Sequence, residues 1–217
     1  MKLLRVAGWV SSLQAPIMDS DSATTWLHER LLSSDLMRHF FELRDELGLS
    51  GDLVAKTVFS LAHKFTLGDC LKLAAVLGEV SGADHVVTIS RSDGRLLHAV
   101  FACAPQYPKE RPRGDCVDVM GRMSLSEAIA GLEKAFGQVE IAVGRNWDDH
   151  FLDAEERHRI RSVAAALPWT RSFARMDGIS AKDLMELTAP YRASANEFYG
   201  IGGDENSAPA PSWSATI

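Results

Sequence analysis

Three residues of this sequence could act in concert: Cys70, His98 and Asp118. Cys70 follows Phe65-Thr66-Leu67-Gly68-Asp69 and stands at the first turn of an apolar helical stretch, Leu71 to Leu77. A thiol attacks only as its thiolate, which the amides of a helix N-terminus and a neighbouring imidazole both favour. Gly68 would let the backbone turn closely beneath the sulfur, and first-turn amides could face a developing oxyanion. His98 lies inside the strand-like run Arg95-Leu96-Leu97-His98-Ala99-Val100-Phe101, and Asp118 inside Asp115-Cys116-Val117-Asp118-Val119-Met120-Gly121. If these two strands pair antiparallel, side chains of like parity share a face, so the carboxylate can orient the imidazole. The chemistry expected is acyl or amide transfer, with Cys70 attacking a carbonyl, His98 moving the proton and Asp118 holding the ring.

A cysteine heading a helix, a histidine on the first long strand after it and an aspartate on the next strand resembles the papain-like and transglutaminase-like cysteine hydrolase and acyltransferase superfamily. The resemblance covers Thr66 to about Val143, with Cys70 matching the nucleophile, His98 the base and Asp118 its orienting acid. It implies an α+β fold in which a helix packs on an antiparallel sheet, with protease, amidase or acyltransferase activity. The compact spacing is closer to the transglutaminase-like branch. No glutamine or asparagine stands shortly before Cys70, and Asp69 adjoins it, a pattern that also suits an inactive relative.

Each residue has a plainer use. Free cysteine is among the commonest small packing residues on an apolar helix stripe. His98 could bond a backbone carbonyl, and Asp118 could be a surface or capping acid. Cys103 and Cys116 suit strand packing, Cys116 sharing the parity of Asp118, while His63 and His85 suit a pocket lining or the surface. Asp148-Asp149-His150 with Asp153, Glu155, Glu156 and His158 has metal-ligand types, but a single E-x-x-H is half of a di-metal motif and reads as a solvated helix start. Gly200-Ile201-Gly202-Gly203 follows a helix, the wrong context for a phosphate cradle. No cofactor and no metal are expected. The competing function is a non-enzymatic protein-binding module or inhibitor, in which the tail or the loop from Pro105 to Pro112 could carry the contact.

Helical spacing places Trp26, Leu27, Leu31 and Leu32 on a first helix after Ser22. Ser34 or Asp35 caps a second that Gly48 stops, and Ser50 opens a third whose stripe runs from Leu53 to Phe65. The helix headed by Cys70 ends near Gly78 to Gly82. His85 to Ser90, the turn Ser92-Asp93-Gly94-Arg95 and Leu96 to Cys103 form a hairpin. Asp115 to Met120 returns as a third strand, Ser124 and Glu127 form a capping box, and Gln138 to Val143 is a fourth strand. Asp153 with Glu156 opens a helix through Leu167, and Ser180 with Asp183 opens the last, to Tyr199. The expected organisation is an arm over residues 1–21 and a single α+β domain over 22–199. That domain comprises a helical layer (22–65), a cysteine-hydrolase-like core (66–143) and C-terminal helices (153–199), before a disordered tail over 200–217.

The 217 residues suffice for one well-formed core, and 46% apolar with 24% charged residues is the balance of a globular protein. A formal net charge of −6 disfavours general nucleic-acid binding, which needs a basic surface. A protein or peptide substrate or partner is the expectation. Three cysteines without a CxxC pair point to a reducing, cytoplasmic setting. The apolar patch near the N-terminus ends too early for a secretory signal, and no run approaches the ~20 apolar residues of a membrane helix.

Overall fold

The computed structural model describes residues 20–81, 86–102, 116–144, 152–174 and 177–199. Local capping chemistry starts the N-terminal helices. Ser34 Oγ accepts from the Met37 amide at the head of α2 (Asp35–Leu47), and Ser50 Oγ from the Leu53 amide at the head of α3 (Gly51–His63). Gly48, at φ +64°, ends α2 in the left-handed conformation. With α1 (Ser20–Leu32) they bury Leu27, Leu31, Leu36, Phe40, Val54, Val58 and Leu61, spaced three and four apart on their inner stripes.

Helix α3 does not stop at its last apolar repeat. It widens into a π-turn over Lys64–Gly68, closed by the Asp69 amide donating to the Lys64 carbonyl at 2.6 Å. Phe65 and Thr66 are buried by this turn. Nothing lies within 4 Å of where a Cβ on Gly68 would sit, so the close backbone approach expected there is not what the glycine provides. Helix α4 (Cys70–Ser81) follows.

The sheet is antiparallel throughout, in the order β4-β3-β2-β1-β5, built from β1 (Val86–Arg91), β2 (Leu96–Ala102), β3 (Cys116–Asp118), β4 (Gly121–Met123) and β5 (Val139–Gly144). The β1–β2 register places Val86 opposite Phe101, Val87 opposite Val100 and Ile89 opposite His98. It then shifts, so that Ser90 opposes Leu96 and Leu97 is the extra residue of a bulge. Since paired residues share a face, the sheet has two distinct sides. On one, Val86, Ala99 and Phe101 meet α4 and the helical layer; on the other, Val87, Ile89, Val100 and Cys116 pack with Trp26 of α1 and with Ala128 and Leu132 of α5 (Leu125–Phe136). The chain is therefore α+β, with the helix headed by Cys70 packed on a small antiparallel sheet.

Helix α5 starts at the expected capping box: the Glu127 amide donates to Ser124 Oγ and the Ser124 amide to Glu127 Oε2. The C-terminal layer is α6 (Ala154–Ala166), α7 (Pro168–Ala174) and α8 (Ala181–Tyr199). Strand β4 and helix α7 escaped the sequence reading. Three and seven residues are too short to show a period, and both are defined by what they pack on. Most of the N-terminal arm, the loop with Cys103 and Pro105 to Pro112, His85, Asp148 to His150 and the tail lie outside the described residues.

Candidate functional site

His98 and Asp118 meet on the α5 side of the sheet. Their strands are neighbours, and the β2–β3 register, Phe101 opposite Val117 and Ala102 opposite Cys116, gives Asp118 and His98 the same facing. His98 Nε2 donates to Asp118 Oδ2 at 2.8 Å, with His98 0% and Asp118 2% exposed. Arg30 of α1 adds a guanidinium contact to the same oxygen at 2.6 Å, and the Met120 amide donates to Oδ1 at 2.8 Å. Burial alone would raise the Asp118 pKa. The charge of Arg30 and the hydrogen bond from His98 more than offset it and hold the carboxyl well below the usual carboxylate range. The other ring nitrogen, Nδ1, faces the Thr66 carbonyl of the π-turn at 3.3 Å. Both ring nitrogens are thus occupied by protein oxygens, Nε2 by the Asp118 carboxylate and Nδ1 by the Thr66 carbonyl. Trp26 packs edge-on against the imidazole, its centroid 5.7 Å away, and also lies beneath the Arg30 guanidinium.

Cys70 lies on the other side of the sheet. It heads α4 as expected, but its side chain packs with Leu71, Ala74, Val86 and Ala99, and Ala99 faces away from His98. The thiol is 1% exposed. Burial pushes its pKa up to about 12, against which backbone hydrogen bonding at Ala99 and Leu71 works only weakly. Asp69 turns to Lys64, at 2.8 Å, and to Lys72, at 3.2 Å. Of the three residues read from the sequence, the structure thus brings His98 and Asp118 together and leaves Cys70 apart from them. Cys116 is on the His98 side and points its thiol at the Met123 carbonyl, 3.4 Å away.

The carboxylates with metal-ligand types have other partners. Asp153 caps α6 by accepting from the Glu156 amide, Glu155 pairs with Arg159, and Glu156 pairs with Lys72. Among the described residues no group of three or more His, Cys, Asp or Glu could hold a metal ion. No described helix is long and apolar enough to cross a membrane.

The two edges of the sheet differ. At β4 the strand is three residues long, and Asp35 of α2 accepts from the Arg122 amide at 3.2 Å, while the Arg122 side chain reaches Ser172 of α7. Strand β5 is six residues long, pairs only with β1 among the described residues, and leaves Ile141 46% and Val143 58% exposed. It carries neither lysine nor proline nor a bulge, the usual protections of an edge strand.

No protein-family model, curated protein or solved structure matches this chain. Sequence reasoning overlooked Arg30, Trp26 and the Thr66 carbonyl. An arginine four residues after a tryptophan on one helix was the available signal, because the pair can stack and turn inward together.

Proposed function

We propose that this chain is a non-enzymatic protein-binding module that accepts an extended segment of a protein partner along β5. The observation that carries this reading is the contrast between the edges: β4 is short and its Arg122 amide is capped by Asp35, whereas β5 is long, uncharged but for Glu140, and apolar at Ile141 and Val143. A partner strand gains main-chain hydrogen bonds from such an edge and places alternate side chains beside Ile141 and Val143. The burial of Cys70 and the engagement of both His98 nitrogens support the same reading, because neither group is free to serve a substrate. One observation favours a cysteine hydrolase or acyltransferase instead, the hydrogen bond between His98 and Asp118. That reading needs Cys70 to reach Nδ1, where the Thr66 carbonyl now sits.

The test is selection of binders from a random peptide display library against the native chain, followed by hydrogen exchange on the complexes. Slowed exchange over Val139–Gly144, with affinity lost in Ile141→Lys and Val143→Lys, is the expected result. A library that yields no binder, binders that protect another surface, or a covalent thioester at Cys70 would overturn it.

A further inference from the structure

We infer that the segment covering the open edge is β5 of a second copy of this chain, joining two five-stranded sheets into one about a two-fold axis normal to them. This rests on the strand-addition reading of β5.

The direction of the backbone groups comes first. Thr88 Oγ1 donates to the Ala142 carbonyl at 3.3 Å, so the main-chain groups of Ala142 point inward at β1. By the alternation of an antiparallel ladder, those of Val139, Ile141 and Val143 point outward. Ile141 and Val143 therefore present both main-chain groups without a partner among the described residues and exposed β-branched side chains.

The strand is its own complement in one register. With Ala142 opposite Ala142 at the two-fold, Ile141 of each copy opposes Val143 of the other in a hydrogen-bonded pair, and both apolar pairs lie on the α5 side. Glu140 then opposes Gly144, and the two Glu140 carboxylates stand four residues apart along the strands, about 13 Å, beyond the screening length at physiological salt. A register centred on Ile141 would bring those carboxylates to a diagonal contact of about 7 Å and is disfavoured.

Closure favours a second copy over a foreign strand. A foreign strand would present a new open edge of its own, whereas two-fold pairing covers both β5 edges at once. The far edge of each sheet is already blocked where Asp35 takes the Arg122 amide, so assembly stops at two.

Sedimentation equilibrium of the full chain over a wide concentration range tests this, with hydrogen exchange alongside. The expected result is a mass rising from 23.8 kDa to twice that value, with the Ile141 and Val143 amides protected in step. Val143→Lys should weaken dimerisation by about tenfold or more. Ala142→Cys should oxidise to a covalent dimer, and Glu140→Cys should not. A chain that stays at 23.8 kDa throughout, or a dimer that persists in both Ile141→Lys and Val143→Lys, would sink the inference. Display-selected peptides that still protect β5 in a strictly monomeric chain would do so while leaving the edge-binding reading intact.

Discussion

His98 and Asp118 meet across adjacent strands inside the protein, Nε2 donating to Oδ2 at 2.8 Å, and Arg30 closes on the same oxygen from α1. The carboxylate thus ties the first helix to β2 and β3. Removing it strands two buried or half-buried donors, so Asp118→Asn should cost about 3–5 kcal/mol, the range for breaking a buried ion pair from one side. Urea unfolding followed by circular dichroism measures this. A loss below about 1 kcal/mol would show that the cluster contributes no more than a surface pair does.

The same carboxylate sets an acid limit. Its folded pKa lies below the unfolded value of about 3.9, so as pH falls below about 4 the unfolded chain binds a proton that the folded chain refuses. Stability from this group is fully present above that pH and declines by up to ~1.4 kcal/mol per unit as pH falls. A pH series of urea melts should show the acid limb flattened by one proton in Asp118→Asn. Identical slopes in the two proteins would contradict the assignment.

Cys70 supplies the opposite limb. With the folded thiol pushed up to about 12, the unfolded chain loses its proton first as pH rises through about 9, and stability drops by up to ~1.4 kcal/mol per unit between those values. Alkylation of Cys70 at neutral pH should accordingly require opening of the structure and accelerate with urea in parallel with global unfolding. Mass spectrometry of the trapped cysteines reads this directly. A native-state rate for Cys70 far above that of buried Cys116 would revive the nucleophile.

Legibility followed the range of the forces involved. Ser34, Ser50 and Ser124 announce helix starts because a cap acts within three residues. The hairpin turn is equally local, with Asp93 accepting from the Arg95 amide and Gly94 at φ +82°. Pairing of His98 with Asp118 was readable from parity, since β2 and β3 are adjacent. Cys70 was not placed so easily, because a position at the head of a helix does not say which face of the sheet that helix will cover. Arg30 and Asp118 are 88 residues apart, and no local pattern marks an inward-turning arginine. The π-turn adds one residue to α3 without leaving a sequence signature, yet it delivers the Thr66 carbonyl to His98.

Gly121 offers a sharp test of how β4 is closed off. It sits at φ +141°, and a Cβ there would lie 2.6 Å from Asp35 Oδ2 and 2.9 Å from Asp35 Cβ, the residue that accepts from the Arg122 amide. Gly121→Ala thus combines a backbone penalty of about 1–3 kcal/mol with displacement of that cap. Gly137, at φ +80° with nothing within 4 Å of its added Cβ, carries the backbone penalty alone and serves as the control. Thermal melts of Gly121→Ala, Asp35→Ala and the double variant separate the two contributions. The double variant should lose less than the sum of the singles, because removing the carboxylate takes away the contacts of the methyl group with Oδ2 and Cγ and leaves only the one with the residue-35 Cβ. Strict additivity would mean that Asp35 and Gly121 do not touch, and the account of the closed β4 edge would have to be abandoned.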